Sequence, residues 1–344
     1  METLIYDKLD DKAVKCKICH HFCIIQNGKR GICKVRENSE GRLISLVYPK
    51  VIANSVDPIE KKPLFHLIPG SYSYSIATVG CNFKCSFCQN SNIAHMPEQI
   101  SRQISTGHNG IIPGQDFLPE AIVKEAVKQG CESISYTYTE PTIFCELAIE
   151  TARLAKQKGL FNIFVTNGYM SQELLEMLVP YLDAANVDLK AFDDKFYKTF
   201  CKAKLEPVKE NIKKMKDMGI LVEITTLLIP GLNDASDDIK AMAAFIANDV
   251  GIDTPWHISR FHPCYKMTDL SITPVADLEM VYNAGKAAGL KYVYIGNVPG
   301  TSWENTYCHS CGELLIERYA YNIKNYMKAK GKCSECGTIA YGKY

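Results

Sequence analysis

The sequence predicts an α/β fold: a partial (β/α)6 barrel built on a parallel sheet, flanked at both ends by small cysteine-rich metal-binding segments. Three observations carry this. Between about residues 72 and 300, apolar extended stretches alternate with amphipathic helical ones, and regular β-α order implies parallel strands joined by right-handed crossovers. Most of the 15 cysteines fall in three groups: Cys16, Cys19, Cys23 and Cys33; Cys81, Cys85 and Cys88; and Cys308, Cys311, Cys333 and Cys336. Finally, 344 residues that are 47% hydrophobic and 22% charged can bury a large core and are far from a disordered composition.

Residues 1–41 read as a metal-binding segment. Residues 42–71, polar and proline-punctuated in their second half, read as a linkage. In the barrel region, 72–300, β-branched and aromatic runs predict strands at Tyr74–Val79, Ser133–Thr139, Phe161–Thr166, Ala184–Leu189, Leu221–Leu228, Trp256–Phe261 and Tyr292–Ile295. Helical periodicity fills the gaps at Pro119–Gln129, Thr142–Lys158, Ser171–Val179, Val208–Met218, Ser236–Asn248 and Val275–Ala288. Six units plus a seventh strand favour an open barrel over a closed eight-stranded one. Residues 301–344 read as a zinc ribbon.

Composition narrows the function. A net charge of +1 gives no whole-chain case for nucleic acid or membrane, although a local basic patch stays open. No apolar run approaches the ~18 residues of a membrane span, and the acidic start, with Asp7, Asp10 and Asp11, is unlike a signal peptide. A reducing cytoplasm is the expected compartment. There, clustered cysteines are metal or redox sites before they are disulfides. The scattered Cys131, Cys145, Cys201 and Cys264 read as small buried hydrophobes.

The run Cys81-Asn82-Phe83-Lys84-Cys85-Ser86-Phe87-Cys88 directly follows the first barrel strand and Gly80. Three thiolates on one short loop can hold three irons of a [4Fe-4S] cube and leave the fourth without a protein ligand. An open corner is what a metal needs if a substrate is to bind it. The competing reading is a zinc ion on the same three cysteines, completed by His66 or His95. The loop, with aromatic Phe87 between its last two cysteines, resembles the radical S-adenosylmethionine (SAM) superfamily. That resemblance implies that SAM chelates the open iron, that Phe87 lies beside its adenine, and that a reduced cluster cleaves SAM to a 5′-deoxyadenosyl radical which takes hydrogen from a substrate. The catalytic set is then Cys81, Cys85 and Cys88.

A parallel barrel presents its chemistry at the C-terminal ends of its strands. The second ends Tyr136-Thr137-Tyr138-Thr139-Glu140-Pro141, where alternation puts Tyr136, Tyr138 and Glu140 on one face. Glu140 can accept the SAM ammonium; it can equally start the next helix with Pro141. The family carries glycines before this Glu, where this chain has Tyr138-Thr139. Asn167 closes the third strand, and Asp188 and Lys190 close the fourth, a pair that resembles the Asp-x-Lys of pyruvate-formate-lyase activating enzymes. They are expected at the ribose and the methionyl carboxylate, the alternative being an internal ion pair. Tyr138, Glu223, Arg260 and His262 are candidates for the substrate pocket.

Cys308-x2-Cys311-Gly312 and Cys333-x2-Cys336-Gly337 are paired zinc knuckles, and the N-terminal four form a complete set for zinc or an auxiliary cluster. The whole chain resembles the radical SAM component of the AmmeMemoRadiSam system, on the segments 16–23, 31–36, 57–63 and 81–90. This implies Memo-like and AMMECR-like pathway partners, and a flavodoxin or ferredoxin as electron donor. Activating enzymes with extra ferredoxin-like clusters insert cysteines after the loop; here none lies between Cys88 and Cys131, so glycyl-radical installation is not favoured over a small molecule or nucleotide. The rival from another class is a non-catalytic electron carrier or binding module.

Overall fold

The computed structural model describes residues 1–104 and 111–344. Among these, the main sheet has eight strands: β1 (Ala53–Pro58), β2 (Tyr72–Ala77), β3 (Ser133–Tyr136), β4 (Phe161–Thr166), β5 (Ala184–Asp188), β6 (Leu221–Leu228), β7 (Trp256–Arg260) and β8 (Val293–Gly296). With its helices this is the α/β partial barrel that the alternation predicts. Seven strands are the predicted ones; β1 is added from the segment that reads as a linkage. Its sequence, ANSVDP, alternates between half-buried and exposed over most of its length, so it lacks the run of buried residues that marks the others.

The chain divides into two compact units, residues 1–57, 73–183 and 200–203 in the first, and 58–72, 184–199 and 204–344 in the second. In the first, β2, β3 and β4 pair in parallel in chain order. Side chains on both faces of β3 are buried, as parallel strands between covering layers require. The helices α1 (Pro119–Lys128), α2 (Cys145–Gln157) and α3 (Gln172–Leu178) follow their strands. Pro141 opens a short 3-10 turn before α2, and Ser171 caps α3 by accepting the Leu174 N–H at 3.2 Å. The N-terminal cysteines sit among short antiparallel strands, Tyr6–Lys8, Val14–Cys16 and Ile24–Ile25.

In the second unit β5, β6, β7 and β8 are parallel and consecutive, with α4 (Glu206–Asp217), α5 (Ser236–Phe245) and α6 (Val275–Ala287) between them. The helix predicted to reach Asn248 instead widens at Ile246 into a π turn that ends at Gly251, whose φ of +127° suits glycine. The C-terminal strands Thr306–Tyr307, Leu314–Tyr319 and Asn322–Asn325 form an antiparallel sheet around a small core of Leu315, Ile316 and Ala340. Among the described residues, no helix is long and apolar enough to cross a membrane.

Candidate functional site

The three-cysteine loop leaves the C-terminal end of β2 through Gly80. At φ +100° this residue occupies backbone space that favours glycine, and a Cβ there would lie 2.8 Å from Val35 Cγ1 and 3.3 Å from the Cys33 carbonyl. Cys85 is buried, Cys81 and Cys88 partly so, and Phe83 and Phe87 are buried beside them. The Phe83 N–H is aimed at Cys81 Sγ at 3.4 Å. Burial first, then the Glu140 charge and the two other loop thiols, holds the Cys81 thiol well above its usual range. A cation among these sulfurs reverses that balance, so the donor set fits a metal group.

From the loop a chain of amides runs to the strand ends. Asn167 Nδ2 donates to Asn82 Oδ1 at 2.7 Å and lies 4.0 Å from Cys81 Sγ. The Asn167 N–H in turn donates to Glu140 Oε2 at 2.8 Å. Glu140 is fully buried, and its Oε1 accepts three bonds: from the Thr142 N–H at 3.1 Å, the Thr142 hydroxyl at 2.5 Å and the Thr166 hydroxyl at 2.7 Å. Among the described residues, Oε2 accepts only the Asn167 N–H, which leaves it a lone pair. Burial raises this carboxyl, and the four donors pull it back. The helix-starting role of Glu140 is thus present in the geometry. Asn82, Thr142 and Thr166 were missed by sequence reasoning; the only signal for Asn82 was its place inside the loop.

The expected common face of Tyr136, Tyr138 and Glu140 does not form, because β3 ends at Tyr136. Tyr136 is buried and donates to Asn162 Oδ1 at 3.1 Å. Tyr138 takes a φ of +61°, in the left-handed region that favours glycine. Its carbonyl accepts from Asn90 Nδ2 at 2.7 Å, and its hydroxyl bonds to Asp57, with burial and that carboxylate pushing the phenol up to about 12.

In the second unit, Lys190 Nζ and Asp188 Oδ2 form an ion pair at 2.8 Å at the end of β5. Arg260 donates to the Thr273 carbonyl at 2.8 Å, and His262 is exposed. Glu223 lies near the start of β6, away from the strand end where a pocket was expected. Its oxygens accept the backbone N–H groups of Phe65 and His66 at 3.1 and 2.8 Å, and His257 Nε2 sits 2.6 Å away. These bonds commit it to the interior. His66 bonds through Nδ1 to the Tyr341 carbonyl at 2.6 Å and through Nε2 to the Tyr294 hydroxyl at 2.7 Å, so neither nitrogen is left for a metal. Its candidacy as a zinc ligand therefore falls.

Cys308, Cys311, Cys333 and Cys336 bring their sulfurs within 4.8 Å of one another, two pairs at 3.6 Å. A tetrahedral ion with arms of about 2.3 Å needs edges of about 3.8 Å, so the spacing fits one metal ion. The two knuckles match: Cys308 N–H bonds to the Glu313 carbonyl at 2.7 Å, Cys333 N–H to the Thr338 carbonyl at 2.9 Å, and Gly312 and Gly337 turn at φ +79° and +74°. The Thr338 hydroxyl beside Cys336 holds that thiol down to about 6.

Residues 75–246 match the radical SAM superfamily. The chain is 47% identical over 338 residues to an uncharacterized protein of Methanocaldococcus jannaschii, covering 98% of this chain and 97% of that one. It is 22% identical over 207 residues to the pyruvate formate-lyase-activating enzyme of Clostridium pasteurianum, covering 56% and 80% of the two chains. In fold it is similar to the crystal structure of a radical SAM methyltransferase from Sphaerobacter thermophilus, with a TM-score of 0.50 at 15% identity over 72% of this chain and 71% of that one.

Proposed function

The chain belongs to the radical SAM superfamily and is a radical SAM enzyme, and on that premise we propose that Cys81, Cys85 and Cys88 hold a [4Fe-4S] cube with one open iron for SAM. The observation that supports it most is the loop itself: three sulfurs at a strand end, one already met by a backbone N–H, tied by Asn82 and Asn167 to a buried carboxylate. Such a cluster, once reduced, supplies reductive cleavage of the sulfonium and a carbon radical able to abstract hydrogen. Glu140 Oε2 has the lone pair to accept the SAM ammonium. Asn167 holds that oxygen and the loop in one register, and buried Phe83 and Phe87 exclude water, Phe87 offering its face to the adenine.

The substrate proposed is a small molecule or nucleotide. A second reading, a glycyl radical installed on a protein, draws on the similarity to the Clostridium pasteurianum activating enzyme. The electron comes from a flavodoxin or ferredoxin, and Memo-like and AMMECR-like proteins are proposed pathway partners. The C-terminal knuckles are proposed to hold zinc. Anaerobic reconstitution followed by dithionite and SAM is expected to yield 5′-deoxyadenosine and methionine, with the yield lost in Cys85→Ala. No 5′-deoxyadenosine from protein with an intact cluster overturns the reading.

A further inference from the structure

Cys16, Cys19, Cys23 and Cys33 line one cavity, which they share with Arg36 and Asn82. Among the described residues, three or more ligand atoms gather within 4.8 Å only at the C-terminal knuckles, so no three of the N-terminal sulfurs stand as close together as those four. A cube puts each thiolate on its own iron corner and so needs the wider spacing. The sulfurs are also provided with donors: the backbone N–H of Ile18 serves Cys16, His21 serves Cys19 and Ile32 serves Cys23. The first two repeat the offset of Phe83 and Cys81.

Among the described residues, two buried donors at this cavity lack an acceptor, Arg36 Nε and Asn82 Nδ2. The other Arg36 nitrogens are occupied by Glu146, Thr3 and the Ile143 carbonyl. The Asn82 amide is fixed in orientation, because its Oδ1 accepts from Asn167 Nδ2 and the Tyr169 N–H in turn fixes Asn167. Each buried donor left unpaired costs about 1–3 kcal/mol. A zinc tetrathiolate offers only its thiolates, whereas a cube adds bridging sulfides as acceptors.

We propose that Cys16, Cys19, Cys23 and Cys33 hold a second iron–sulfur cube, fully ligated by protein, beside the three-cysteine loop. His21 Nε2 lies 2.9 Å from the carbonyl oxygen of Asn82, the residue after Cys81, so one hydrogen bond links the two cysteine groups. Its role as an electron entry rests on the reading of the loop given above. In that role the second cluster loses one electron as the loop cluster gains one, the source being an external donor of the flavodoxin or ferredoxin class.

Metal analysis of the anaerobically reconstituted chain tests it. Wild type is expected to hold about eight irons and one zinc; about four irons with two zincs overturns the second cube. The triple variant Cys81→Ala/Cys85→Ala/Cys88→Ala is expected to keep about four irons, and Cys16→Ser/Cys19→Ser to keep the other four. Iron absent from the triple variant while the N-terminal variant retains its four overturns this inference and spares the loop reading; the reverse pattern overturns the loop reading and spares this one. In reduced wild type, two neighbouring spins should broaden one another's electron paramagnetic resonance signal, and unbroadened signals from a fully loaded chain overturn the electron-entry role.

Discussion

Arg36 and Glu146 are enclosed together, two nitrogens meeting two oxygens at 2.7 and 2.9 Å. Burial alone raises Glu146, but the guanidinium brings it below the usual carboxylate range. Removing one partner strands the other charge, so Arg36→Ala should cost about 3–5 kcal/mol in chemical denaturation, and the paired Arg36→Met/Glu146→Leu much less. His66 is the second sensitive residue. Burial holds it down to about 4, against the pull of Glu223 and the Tyr341 carbonyl and with Arg318 and His257 adding to the depression. The unfolded chain takes up a proton near about 6.5 that the folded one refuses. Stability is therefore complete above that pH and falls toward pH 4, by about 3 kcal/mol in all. Denaturant titrations at about pH 7 and about pH 5 should show the loss in wild type and a flatter profile in His66→Gln.

Gly80 decides how closely the three-cysteine loop can approach the segment around Cys33 and Val35. Gly80→Ala places a methyl against Val35 and forces a side chain into a glycine backbone conformation, at a cost of about 1–3 kcal/mol in strain before any clash. A lower melting temperature and reduced iron loading after reconstitution are the expected outcomes. The strands from β2 to β8 were legible because β-branched and aromatic runs alternate with helical periodicity, and the loop because three cysteines crowd into residues 81–88 directly after a strand. β1 was not, since half-buried and exposed positions alternate along most of it. Nor were the bonds of Glu140, whose donor Thr166 lies 26 residues away and is not marked by any local pattern.

At the level of the whole chain, each compact unit has its own clustered cysteines and its own buried polar network. That of the second unit, Glu223 with His257 and the backbone of Phe65 and His66, joins residues up to 158 positions apart, which is why strand-end reasoning misplaced Glu223. The C-terminal knuckles surround a core too small to hold a sheet by hydrophobic burial alone. Cys311→Ser/Cys336→Ser should lose one metal ion and accelerate amide exchange across residues 306–340 while leaving 133–166 unchanged, as followed by mass spectrometry.

Those two knuckles close with the same main-chain bond and the same glycine twist. Either is consequently a copy of the other as far as the ion is concerned, and a chimera that exchanges Cys308–Glu313 with Cys333–Thr338 should bind metal as the parent does. The thiol that Thr338 holds down would travel with its threonine to the other knuckle, changing which sulfur an alkylating reagent meets first in the metal-free chain.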